Sequence, residues 1–345
     1  MIEIQCFRGE TMAITFGLYA LLATITVFAT VRAAHYVDEL DKKTRISGAL
    51  IGGVLLATVT SLPEFITTIT ATVVLDSPGL AFGNVFGSNL FNILILAVVD
   101  LVFIKHLFFN KTNTGVKTNT LVIFMYMVFA LPLVLNRIGL LDYDQTGITI
   151  GLTFSVISLA IIGIYVFALR SMSKELPSEN ESTSTYSLKH ILIGFTAWAV
   201  VVVVTSYFVT VVTNTIAIEL NMSASFAGAI FLGVATSLPE FTAVITLFKL
   251  KNYAVALGNI LGSSVFNMMI ISVVDVINIR RNIFDVLSTD MDLRKNISLL
   301  LILGLVNSII VGVALVRKPP KNKFIYGLPS IIIIISYLVY IGLSL

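Results

Sequence analysis

A six-residue phrase, Thr-Ser-Leu-Pro-Glu-Phe, occurs twice in this chain, at 60–65 and at 236–241. A second shared phrase follows each copy. It reads Gly83-Asn84-Val85-Phe86-Gly87-Ser88 with Phe91-Asn92, then Gly258-Asn259-Ile260-Leu261-Gly262-Ser263 with Phe266-Asn267. Both copies lie inside long apolar stretches, where an acid is expensive. A charge near a bilayer centre costs roughly 2.5–3.5 kcal/mol on insertion scales. Glu64 and Glu240 recur at the same place in matching phrases, which points to one shared intramembrane site.

The apolar stretches are what make this a membrane chain. Of the 345 residues, 57% are hydrophobic and only 12% charged, against about 25% charged in a soluble domain. Mean hydropathy is +0.98. The net charge of +3 resides in loops between apolar runs, so it speaks to topology and not to nucleic acid. Cys6 is the only cysteine, which permits no internal disulfide and no thiolate metal cluster. Glu3, Arg8 and Glu10 do not form a basic signal-peptide start, and the first apolar run is too long for one, so it counts as a span.

Ten apolar segments follow, at 11–33, 47–75, 79–104, 118–136, 147–169, 188–213, 223–248, 253–279, 297–316 and 324–345. Each is long enough to cross a bilayer as a helix. The polar stretch 171–187, rich in Ser, Thr and Glu, reads as a flexible linker. Of the 22 Lys and Arg, sixteen fall in the loops after the odd-numbered spans. That face is predicted to be cytoplasmic, the linker with it, and both termini extracellular. The cluster Arg280, Arg281, Arg294 and Lys295 dissents, but is interleaved with Asp285, Asp290 and Asp292.

The twin phrases fall on spans two and three and on spans seven and eight. Five spans separate them, an odd number, so the second copy enters the membrane from the opposite side. The expected fold is therefore an all-α membrane protein of ten transmembrane helices in two inverted five-helix repeats, 11–170 and 188–345. In such repeats the substrate site usually lies near the midplane.

Pro63 and Pro239 each remove a backbone donor and free a carbonyl four residues back. In lipid that carbonyl needs another partner, and a cation is a suitable one. A lone intramembrane proline is ordinarily a packing kink; a glutamate directly after it, twice, argues for more. Thr60, Ser61 and Glu64 share one helical face, as do Thr236, Ser237 and Glu240. Ser88 with Asn92, and Ser263 with Asn267, are spaced four apart. Carboxylates, hydroxyls and amides are hard oxygen donors, suited to Ca²⁺ and also to Na⁺. No histidine or cysteine stands near them, which argues against zinc, copper or iron. For any single hydroxyl the plain alternative is a helix-to-helix or back-to-backbone hydrogen bond.

Gly83, Gly87, Gly258 and Gly262 form two small-xxx-small patterns and read as close helix packing. Asn84 and Asn259 either line the site or cap a broken helix. Asp100 and Asp275 each end a Val-Val-Asp triplet twelve residues after Ser88 and Ser263. Twelve helical residues span about 18 Å, so these aspartates are expected near opposite membrane surfaces, as solvated span ends or as lures for cations.

On these residues the chain resembles the cation/calcium exchanger superfamily, its sodium/calcium exchanger branch in particular. The resemblance extends over both signature repeats and the ten-span plan. It implies an antiporter in which Glu64 and Glu240 are the carboxylate ligands. Thr60, Ser61, Ser88, Thr236, Ser237 and Ser263 become hydroxyl ligands, Asn92 the amide, and Ala57 and Gly233 the backbone-carbonyl positions. It also implies that the first and sixth helices slide at the periphery during transport. The chain departs from the family pattern at Asn267, where many exchangers carry aspartate. Its site then holds two formal negative charges instead of three. Val59 and Ala235 replace a frequent glycine, which stiffens the break, and the linker has no room for calcium-sensing domains.

The function expected is exchange of Ca²⁺ for Na⁺ by alternating access at one oxygen-lined site in a prokaryotic plasma membrane. The substrates are these ions, with no cofactor and no obligatory protein partner. Exchange of Ca²⁺ or another divalent cation for H⁺ keeps the same architecture, because apposed carboxylates can carry protons. A cation channel lined by acids and hydroxyls is a remoter reading, and a carboxylate-dependent intramembrane protease another; the paired repeat favours a transporter.

Overall fold

The computed structural model describes residues 2–44, 56–110, 115–137, 147–172, 184–278, 287, 290–318, 320 and 322–344. The start of the expected second span, the linker residues 173–183, the Arg280–Arg281–Asp285 part of the charged loop and the Cys6 side chain lie outside it. The described residues are helical, with no strand among them. They comprise α1 (Ile2–Thr44), α2 (Leu56–Thr60), α3 (Leu62–Ile69), α4 (Pro78–Val102), α5 (Gly115–Arg137), α6 (Gly147–Met172) and α7 (Leu188–Glu219). Then come α8 (Ala224–Ala227), α9 (Gly233–Thr236), α10 (Leu238–Lys249), α11 (Tyr253–Ile277), α12 (Met291–Val316) and α13 (Lys323–Ser344). Every apolar segment read from the sequence contains helix. By length and composition six described helices can each cross a membrane, and a seventh crossing results if the pair 224–236 and 238–249, bent by 42°, is one span. The chain is an integral membrane protein.

Two helices form the centre. In the most apolar stretch of α4, 72% of residues are buried, and in that of α11, 78%; for α1 and α7 the figures are 17% and 22%. The outer pair pack mainly on each other. Thr26 and Thr205 share a hydrogen bond of 2.8 Å across that seam, and Phe28 meets Trp198 edge-on. At its end His35, Asp38 and Glu39 converge. Their carboxylates are already engaged by Lys42, at 2.6 and 3.0 Å, and by the Ser184 hydroxyl.

Glycine sets how closely α4 approaches the second broken helix. A Cβ at Gly83 would lie 2.1 Å from the Ser225 carbonyl oxygen, and one at Gly87 would lie 2.4 Å from the Ala229 Cα. A Cβ at Gly233 would in turn stand 2.8 Å from the Ser88 amide. The paired order, 83 with 225 and 87 with 229, means that α4 runs parallel to the segment 224–236. A tight turn at Leu250–Asn252 then reverses the chain, with Lys251 in the left-handed region at φ 60°. Hence α11 runs opposite to α4. The expectation of close packing at Gly258 is not met in the same way: no described atom lies within 4 Å of a Cβ built there.

Asp100 and Asp275 also differ from expectation, being buried at 0% and 5% exposure instead of solvated. Asp100, near the end of α4, accepts hydrogen bonds of 2.7 Å from both Tyr326 and Ser330 on α13. Asp275, near the end of α11, accepts one of 2.8 Å from Ser158 on α6. Each aspartate thus joins a central helix to a late helix of the other half. The Tyr326 hydroxyl in turn accepts the Phe109 amide at 3.1 Å. Tyr326→Phe should leave an Asp100 oxygen unpaired and cost about 1–3 kcal/mol, read as a fall in melting temperature; an unchanged melt would show the joint to be dispensable.

Candidate functional site

The two broken helices are built alike. Each interrupts at one serine, Ser61 (φ −92°, ψ 12°) and Ser237 (φ −89°, ψ 2°), two residues before the proline. The proline occupies the first turn of the next segment, where its missing N–H costs least. The chain stays wound across the break, since Phe65 and Phe241 amides reach the Ser61 and Ser237 carbonyls at 3.2 Å. A π-helical turn lies on the far side of each break, Thr70–Val74 after the first and Gly228–Leu232 before the second. Such bulges are frequent at functional sites.

The breaks bring the twin phrases together reciprocally. Ser61 donates to Glu240 Oε1 at 3.2 Å, and its counterpart Ser237 donates to Glu64 Oε1 at 3.3 Å. Each acid therefore takes a hydroxyl from the other half, the pattern a two-fold relation produces. Ser263 adds a bond to Glu240 Oε1 at 3.0 Å and lies 2.6 Å from the Ser61 hydroxyl. The symmetry then lapses. Ser88, the counterpart of Ser263, bonds the Gly233 carbonyl at 3.3 Å and sits 3.4 Å from the Thr236 hydroxyl. The Ala57 carbonyl receives the Ser61 amide at 3.0 Å and the Thr60 hydroxyl at 3.2 Å.

Burial and valence define what this centre lacks. Glu64 and Glu240 are both at 0% exposure, and neither makes an ion pair among the described residues. Glu64 Oε2, Glu240 Oε2, Asn267 Oδ1 and both amide atoms of Asn92 have no hydrogen-bond partner. Buried polar atoms are rarely left so. Two uncompensated carboxylates within one interior, ringed by hydroxyl, amide and carbonyl oxygens, form a cradle for a small hard cation. All twelve residues expected to line the site lie on the five segments that meet here, α2–α4, α9–α10 and α11.

Sequence reasoning missed part of this centre. Asn89, fully buried, accepts the Asn267 amide at 3.0 Å and donates to the Ser264 carbonyl at 3.2 Å. Its counterpart in the second half is Ser264, so the doubled pattern hid it. Thr67 and Thr68 were also unmarked. With the Glu64 carbonyl they accept the Asn84 amide at 2.7, 2.9 and 3.1 Å.

Comparison with known proteins agrees with this centre. A family model described as sodium/calcium exchanger protein matches residues 13–171 and 190–345. The uncharacterized membrane protein MJ0091 of Methanocaldococcus jannaschii is 25% identical over 232 residues, 66% of this chain and 70% of that protein. Among solved structures, native YfkE superposes with a TM-score of 0.67 at 18% identity, covering 96% of this chain and 92% of that one. The H⁺/Ca²⁺ exchanger CAX gives 0.64 at 12% identity, over 95% and 88%. The sodium-calcium exchanger NCX_Mj gives 0.57 at 17%, over 96% and 98%. At these identities the structural likeness speaks to fold.

Proposed function

The chain belongs to the sodium/calcium exchanger protein family, and on that footing we propose that it exchanges Ca²⁺ for Na⁺ at the centre between Glu64 and Glu240. The ten helical segments are read as ten spans in two inverted five-helix repeats, 11–170 and 188–345, with the basic loops and the linker on the cytoplasmic side of a prokaryotic plasma membrane. The observation that carries the reading is the reciprocal capture of the two acids, Ser61 on Glu240 and Ser237 on Glu64, with one oxygen of each acid left free.

In this reading Glu64 and Glu240 supply charge. Thr60, Ser61, Ser88, Thr236, Ser237 and Ser263 supply hydroxyl oxygens, Asn92 and Asn267 amide oxygens, and Ala57 and Gly233 carbonyls. One Ca²⁺ neutralises both acids, and so do two Na⁺. The two loads compete for the same oxygens and cannot occupy them together, which is what couples their movements. Helix breaks at Ser61 and Ser237 let the halves rock around the acids, and the exposed pair α1 and α7 move as the outer frame. No cofactor enters this cycle.

A second reading exchanges Ca²⁺ for H⁺, and Asn267 favours it. Its amide is tied to Asn89, so the centre keeps two negative charges, which two protons also neutralise. Reconstituted protein separates the readings. Uptake of radioactive Ca²⁺ into proteoliposomes is measured under an outward Na⁺ gradient with pH clamped, then under a pH gradient with Na⁺ equal on both sides. Uptake driven by Na⁺ is expected. Uptake driven by pH alone would replace Na⁺ with H⁺ as the counter-ion, and rapid uptake without either gradient would indicate a channel.

A further inference from the structure

The polar stripes of the two central helices are satisfied at one end and bare at the other. On α4 the stripe is Asn84, Ser88 and Asn92; on α11 it is Asn259, Ser263 and Asn267, each spaced by one turn. Because the helices run oppositely, Asn84 and Asn267 lie toward one membrane face, and Asn92 and Asn259 toward the other. Each is displaced by about 6 Å from its serine.

At the first end every amide is held. Asn84 donates to the Glu64 carbonyl and to Thr67 and Thr68, and accepts the Thr236 hydroxyl at 3.4 Å. Asn267 donates to Asn89. At the second end nothing holds them. Asn92 is at 0% exposure and Asn259 at 4%, and all four of their side-chain nitrogen and oxygen atoms are unpaired. The cause is written in the sequence. The counterparts of Thr67 and Thr68 are Ala243 and Val244, which offer Asn259 no hydroxyl. The counterpart of Asn89 is Ser264, whose hydroxyl is turned back onto the Ile260 carbonyl at 3.0 Å.

Two buried amides without partners, one turn from a pair of acids, lack a ligand of their own. Their donors are neutral. A second divalent ion would bring charge that nothing at this level offsets, because one Ca²⁺ already neutralises both carboxylates. A monovalent ion carries half that charge and is suited to neutral oxygens and retained water. We propose that Asn259, with Asn92, forms a separate binding position for an alkali cation, Na⁺ in the transport cycle, on the side of the acids toward which α4 ends. This assignment rests on the carboxylate centre being the Ca²⁺ site, and it makes Asn259 a ligand residue outside that centre.

The test uses purified full-length protein in detergent, followed by thermal melting while NaCl or CaCl₂ is titrated, with choline chloride holding ionic strength. Asn259→Leu keeps the side-chain shape and removes the amide. Without cations the variant should melt higher than wild type, since a buried unpaired group is gone. Its half-saturating Na⁺ should rise about tenfold, and its half-saturating Ca²⁺ should stay within about twofold. A lower melt without cations would mean that the amide is a packing element. An unchanged Na⁺ response would mean that it holds water only. Either result overturns the proposal, as does a wild type that responds to Ca²⁺ but not to Na⁺. If Asn259→Leu does not fold, Asn259→Ser, too short to reach the ion, should show the same Na⁺ shift, and its absence overturns the proposal equally. A wild type that responds to neither ion sinks the carboxylate reading itself, a distinct outcome.

Discussion

Glu64→Gln and Glu240→Gln should each reduce Ca²⁺ exchange to background while the protein folds at least as well as wild type. Glutamine preserves the shape and still accepts the hydrogen bond that Ser237 or Ser61 donates. What it removes is half of the charge facing the ion. By the measure of buried charge pairs this costs about 2–5 kcal/mol, or roughly 30-fold and upward in affinity. Stability should move the other way. An uncompensated carboxylate inside a span is itself costly, so the amide variants should melt at the same temperature or higher when no cation is present. Tracer flux in proteoliposomes, beside gel filtration and melting, reads both effects. Robust flux by either variant would falsify the role given to these acids.

The second large effect separates two glycines that occupy the same place in the two phrases. Gly83→Ala should prevent assembly of a stable protein. Its new methyl group would meet backbone, the Ser225 carbonyl at 2.1 Å and the Ala229 amide at 2.9 Å, and backbone cannot rotate aside. Overpacking of this kind costs about 1–3 kcal/mol or more. Gly258→Ala should be neutral or stabilising, because no described atom stands within 4 Å of the new methyl and alanine is favoured over glycine inside a helix by about 1 kcal/mol. Yield of monodisperse protein and melting temperature decide the matter. Equal behaviour of the two variants would mean that α4 does not sit as tightly against the segment 224–236 as described.

These two sites also show what a reader of the sequence could and could not see. The acids were legible because cost announces them: nothing else explains a Pro-Glu pair in an apolar run, twice. Their hydroxyl partners were legible from helical spacing alone. Gly258 was misjudged by analogy with Gly83, since repetition of a phrase does not guarantee repetition of its neighbours. Asn89, Thr67 and Thr68 escaped for the converse reason. They exist in one half only, and comparison of the halves filters out whatever is not shared. Asp100 and Asp275 were placed at the right depth and given the wrong surroundings. Their partners Tyr326, Ser330 and Ser158 stand more than a hundred residues away in sequence, and no local pattern reports a contact at that range. Without those hydroxyls, an acid near a span end reads as solvated.

The exchange of hydroxyls between halves, Ser61 to Glu240 and Ser237 to Glu64, bears on how such a chain could have arisen. A protein carrying a single copy would hold its acid with part of the cradle absent. It could complete the cradle only by meeting an upside-down twin in the same membrane. Duplication and fusion then made permanent a partnership that two separate molecules had to find by diffusion. Once the twins shared one polypeptide, each was free to drift, and the differences between Thr67 and Ala243, or Asn89 and Ser264, are what that freedom left behind.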